Sequence, residues 1–151
     1  MKEIIELLSA SLAPITAIVA LGIAYRQYRL EQLKFRRELY EKRLAVYEGT
    51  MKLLSIVLRK GGVNFSELVQ FLQETNQCRF LFGKDMADYL TEIYKNGVDL
   101  EYHEKMLHEH GLPVGEERSK HAHESCELSK WFNRQLVVAP EKFSVHLGLD
   151  K

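Results

Sequence analysis

From Leu7 to Tyr25 the chain carries no charged residue, a run of 19 positions. As a helix rising about 1.5 Å per residue it is roughly 28 Å long, close to the hydrocarbon thickness of a bilayer. Pro14 does not exclude this, because Ser11 and Thr16 offer hydroxyls to backbone groups that a proline frees. Tyr25 and Tyr28 stand where an interfacial aromatic belt is expected. Two other readings of the run are weaker. A cleaved signal peptide begins basic and ends at small residues, whereas this start holds Lys2 against Glu3 and Glu6. A core helix of a small bundle is usually shorter than this uncharged run. A single transmembrane helix is therefore expected.

Beyond the run, no Gly occurs between Gly22 and Gly49 and no Pro between Pro14 and Pro113. The residues Leu30, Leu33, Tyr40, Leu44, Tyr47, Met51, Leu54 and Leu58 follow an alternating three-four spacing, broken at Arg37. That spacing predicts a long amphipathic helix over 26–60 with a coiled-coil-like seam, continuing from the membrane helix and ending at Gly61-Gly62. Asn64 and Glu67 have capping-box spacing for a second helix, with Phe65, Leu68, Val69, Phe71, Leu72, Thr75 and Cys78 on its face as far as Gly83. Asp85 is positioned to cap a third, with Met86, Tyr89, Leu90, Ile93, Gly97, Leu100 and Leu107 inward, closed by Gly111-Leu112-Pro113. A last helix runs from about Glu116 to Val138 with Ser125, Leu128, Phe132 and Gln135/Leu136 inward and Trp131 beside them. Pro140 interrupts it and leaves a tail holding Phe143, Leu147 and Leu149. No segment sustains period-two alternation, so no sheet is predicted. The expected fold is all-α: an N-terminal transmembrane anchor, 1–25, continuing into an antiparallel helical bundle, 26–151.

Composition agrees with a single folded domain. The 151 residues are 46% hydrophobic and 28% charged, with 9 Gly and 3 Pro, too apolar for disorder and too poor in turn formers for a strand-rich fold. Net charge is zero, but its distribution is uneven. Residues 26–43 hold seven Lys or Arg against three Glu, directly after the apolar run. Because Lys and Arg flanking a span stay on the cytoplasmic side, the N-terminus is expected outside and the bundle in the cytosol. There Cys78 and Cys126 are expected as free thiols. Arg26, Arg29, Lys34, Arg36 and Arg37 are placed for anionic lipid headgroups, each contributing about 1 kcal/mol near the surface. Within the run, Ser9, Ala13, Ala17, Ala20 and Ala24 fall on one helical face, and small residues there let two membrane helices approach closely. Ala is also common on lipid-facing positions, so the face permits self-association without requiring it.

Several stretches together resemble a known group. They are Leu12-Ala13-Pro14-Ile15, Tyr25-Arg26-Gln27-Tyr28, Glu38-Leu39-Tyr40-Glu41-Lys42-Arg43 leading into Val46-Tyr47-Glu48, Arg79-Phe80-Leu81-Phe82-Gly83, and Trp131-Phe132-Asn133-Arg134-Gln135-Leu136. The chain resembles a family of small bacterial single-span proteins with a helical cytosolic part. The resemblance implies an inner-membrane location. It brings no catalytic assignment.

The candidate chemistry is sparse. His103-Glu104 is followed by His108, one residue beyond the i, i+4 spacing that puts two zinc-binding imidazoles on one face. His103 and His110 share a face, as do His123 and Glu127, so a site between the two helices near Cys126 is conceivable against the plainer reading of a solvated, His-rich turn. No metal is expected. The basic block is interleaved with Tyr28, Phe35 and Tyr40, yet no nucleic-acid-binding motif accompanies it, and lipid is the simpler partner. A buried Arg–Glu pair among Arg43, Glu48 and Arg79 would link helices. Cys126 has His123 and Lys130 one turn away but no third catalytic group. There is no phosphate-binding glycine loop and no Gly-x-Ser-x-Gly elbow. An enzyme is not expected, and neither is a cofactor. The expected function is a membrane-anchored helical interaction or scaffold protein, self-associating, with an unidentified cytosolic protein partner. The alternative is a membrane-perturbing effector whose spans assemble into a permeabilising oligomer.

Overall fold

The structure is a computed structural model that describes residues 2–108 and 113–148, with side chains from residue 16 onward. Every described element is a helix: α1 Lys2–Lys60, α2 Phe65–Thr75, α3 Cys78–Phe82, α4 Lys84–His108 and α5 Glu116–Leu147. The chain divides into two compact units, 1–39 and 40–151, and the division falls within α1.

The second unit is a helical bundle whose directions follow from its cross-helix contacts. Between α1 and α2, Lys60 meets Glu67 at 2.5 Å and Lys52 meets Glu74 at 2.8 Å, so the two run antiparallel. Between α4 and α5, Tyr89 pairs with Gln135 and His103 with His121, again antiparallel. Arg43 reaches His146 and Tyr47 packs on Phe143, which sets α5 antiparallel to α1. The core between them holds Val46, Leu53, Leu54 and Val57 of α1, Leu68 and Phe71 of α2, and Cys78 of α3. From α4 come Met86, Tyr89, Leu90, Ile93 and Leu100, and from α5 Phe132, Ala139 and Phe143.

Local chemistry explains the boundaries. Gly61, at φ +74°, ends α1 with its N–H donating to the Val57 carbonyl at 2.8 Å. The capping box forms as its spacing predicts: the Glu67 N–H donates to Asn64 Oδ1 at 2.9 Å, and the Asn64 N–H donates to Glu67 Oε2 at 3.0 Å. Burial pushes the Glu67 carboxyl up, but hydrogen bonds from Lys60 and the Asn64 backbone, with the nearby Lys60 and Arg59 charges, outweigh this and hold it below its ordinary value.

Four expectations are corrected. The second predicted helix is two, α2 and α3, parted at Asn76 and Gln77. Asp85 lies in the first turn of α4, where it complements the helix dipole, and does not cap it. Pro140 lies inside α5, which continues to Leu147. The core face of α1 is turned by about one residue from the predicted seam, near 100°. Val46, Thr50, Leu53 and Val57 are buried, Leu44 is only half-buried, and Leu58 is 56% exposed. Leu149 and Gly111-Leu112 lie outside the described residues.

Candidate functional site

Along α1 from Thr16 to Glu38 every residue is exposed. Ile18, Val19, Leu21 and Ile23 are spread over roughly 200° of the helix circumference, with exposures of 71%, 56%, 73% and 53%. Ala17, Ala20 and Ala24 are exposed on one side of the helix, while Ser9 and Ala13 lie outside the described side chains. Among the described residues no helix is long and apolar enough to cross a membrane. Residues 16–25 alone supply about 15 Å of helix, half a hydrocarbon core, and residues 7–15 of the uncharged run lie outside the described side chains.

The basic residues follow immediately. Arg26, Arg29, Lys34, Arg36 and Arg37 are all exposed on α1. Among them the apolar side chains Leu30, Leu33 and Phe35 are also uncovered. Tyr28 accepts a hydrogen bond from Gln32 Nε2 at 2.8 Å, and with Glu31, Phe35 and Arg36 these two line a shallow groove along the helix. This stretch presents a guanidinium-rich, aromatic surface.

Within the bundle, Arg43 departs from the expected pairing with glutamate. Its Nε donates to the Leu81 carbonyl at 3.1 Å and its Nη1 to the His146 carbonyl at 3.0 Å, and its guanidinium lies 5.7 Å from the Phe82 ring centre. A cation at the last turns of α3 and α5 satisfies carbonyls left open there and complements both helix dipoles. Glu48 and Arg79 are exposed. Arg43 therefore ties three elements together through backbone oxygens, a role that residue type and spacing do not reveal.

The histidines separate. His103 and His121 meet across α4 and α5, Nδ1 to Nδ1, at 2.8 Å. His108 Nε2 lies 3.2 Å from Glu104, whose other oxygen accepts a short hydrogen bond from Ser125. His123 is exposed, and His110 lies outside the described residues. Among the described residues no three His, Cys, Asp or Glu side chains converge as a metal would need.

Both cysteines are free thiols. Burial pushes the Cys78 thiol up to about 11, which keeps it protonated and inert at neutral pH. Cys126 is exposed, and its neighbour Lys130 is engaged by Glu127 at 2.7 Å. A second groove, between α4 and α5, is lined by Asp85, Asp88, Glu92, Trp131, Gln135 and Lys142 around Tyr89. The Tyr89 hydroxyl donates to Gln135 at 3.1 Å, and Lys142 Nζ caps the ring 4.9 Å from its centre. Burial, reinforced by the charge of Glu92, raises the Tyr89 phenol to about 12. Among the described residues, each buried side-chain polar atom lining this groove has a hydrogen-bond partner. Neither a family model, nor a curated protein, nor a solved structure matches the chain.

Proposed function

We propose that the protein is a single-pass membrane-anchored helical interaction protein of the bacterial inner membrane. Residues 7–25 cross the bilayer with the N-terminus outside, and residues 26–151 lie in the cytosol. Arg26, Arg29, Lys34, Arg36 and Arg37 engage anionic headgroups, and the protein self-associates through its membrane helix. The observation that carries this reading is the exposure of Ile18, Val19, Leu21 and Ile23 over roughly 200° of α1, with Ala17, Ala20 and Ala24 exposed on the remaining side. A helix that is apolar all round is stable only when something apolar surrounds it, and a bilayer does so without a second protein. The seven basic residues that follow fix the orientation.

The test is a topology assay. A fluorescent protein fused after Lys151 is expected to be bright and a periplasmic phosphatase there inactive, with the protein resisting alkaline extraction from membranes. Replacing Arg26, Arg29, Arg36 and Arg37 with Gln is expected to scramble the orientation. Release of the wild-type protein by alkali removes the span, and an active phosphatase reverses the topology.

A further inference from the structure

His103 stands near the C-terminal end of α4 and His121 near the start of α5, so they meet beside the connection between the two helices. Their ring centres are 5.0 Å apart with the nitrogens at 2.8 Å, which leaves the rings nearly head-on. In that arrangement one Nδ1 carries a proton and donates, and the other presents its lone pair. Tyr102 packs edge-on against both rings, at 5.4 and 5.8 Å. Both histidines are half-buried.

We propose that His103 and His121 form an acid-sensitive latch, which holds the α4–α5 hairpin closed at its turn end while the pair carries at most one extra proton and releases it when both rings are protonated. The first added proton strengthens the contact. The imidazolium keeps a proton on Nδ1 and donates it to the neutral partner, a charge-assisted hydrogen bond. The second removes the only acceptor and sets two cations nitrogen to nitrogen. They repel, and the rings separate.

The charged groups around the pair do not come between the two rings. One turn from His103 on α4 is Asp99, and next to it is Glu104, already bonded to Ser125 and His108. One turn from His121 on α5 are Glu117, Arg118 and Glu124. On the neighbouring α2, Glu67 is held by Lys60. These carboxylates outnumber Arg118, but the direct nitrogen contact leaves no room for one between the rings. Two cations held nitrogen to nitrogen repel in the folded state and move apart in the unfolded chain. Stability at this end of the hairpin therefore falls as pH falls.

The experiment is hydrogen exchange on the full chain in detergent micelles at pH 7.5 and 5.5, corrected for the intrinsic exchange rate. In the wild type the opening constant of 99–108 and 116–125 is expected to rise about tenfold on acidification, while 53–75 changes little. In His121→Gln and in His103→Gln the rise is expected to fall below about twofold, because a single imidazole beside an amide has no second cation to repel. Read as a ratio between the two pH values, this outcome is independent of any baseline loss in either variant. Equal rises in wild type and both variants would overturn the latch, as would no rise in the wild type or an equal rise at 53–75.

Discussion

Gly97 is buried on α4 facing α2, and a Cβ built there would lie 2.6 Å from Leu68 Cδ2 and 3.8 Å from Phe132 Cζ. Mid-helix glycine ordinarily costs up to about 1 kcal/mol relative to alanine, so local propensity favours Gly97→Ala. Packing opposes it, because Leu68 and Phe132 are both buried against this position. Overpacking of this kind costs about 1–3 kcal/mol, and the net expectation is a loss. Thermal unfolding of the detergent-solubilised full chain checks it, and a higher melting temperature for Gly97→Ala would mean that the Leu68 tip yields freely. The sequence places Gly97 on the inward face of its helix; the close approach that needs a glycine there exists only between packed helices. Gly49 is the equivalent on α1, where a Cβ would meet that of Glu74 at 2.9 Å. Thr50 beside it is fully buried, with its hydroxyl donating to the Val46 carbonyl at 2.8 Å.

At the scale of elements, the same two small residues explain why the core face of α1 differs from the Leu and Tyr seam. Ranking positions by hydrophobicity passes over Gly49 and Thr50, although both are buried and a Cβ at Gly49 would meet Glu74 of α2. The final turns of α5 make the complementary point. Pro140 has no N–H to give to the Leu136 carbonyl, and a proline inside a helix costs about 3 kcal/mol. The helix nonetheless continues, since its next turn buries Phe143 completely, with edge contacts to Tyr47 and Phe82 at 5.3 Å each. Arg43 then secures the same turn through the His146 carbonyl. Phe143→Ala is therefore expected to destabilise the chain by about 3–5 kcal/mol. Chemical denaturation would show this as a lower midpoint, and a loss below about 1 kcal/mol would detach the turn after Pro140 from the core.

For the whole molecule, the proposed function makes the membrane helix the site of self-association. Ala13→Leu together with Ala17→Leu adds bulk to the small face while keeping the segment apolar, so insertion should persist and close helix packing should not. Cross-linking of the full-length protein in membranes is expected to drop several-fold for the double variant. If it cross-links like the wild type while remaining inserted, the alanines face lipid only. The exposed Leu30 and Leu33 are too few to sustain a coiled coil alone, so any pairing there depends on the proposed membrane helix.

The sequence by itself determined the helical class, the start of α2 at its capping box, the end of α1 at Gly61, and the inward faces of α4 and α5. These depend on local chemistry or on a clean 3.6-residue period, both of which a short window contains. Tertiary structure decided the rotation of α1, the survival of α5 beyond Pro140, the carbonyl contacts of Arg43 and the meeting of His103 with His121. Each joins residues from different helices, and Arg43 and His146 are 103 positions apart. The energy that settles such choices comes from burial and hydrogen bonding across the bundle. No pattern along the chain encodes which two faces will meet.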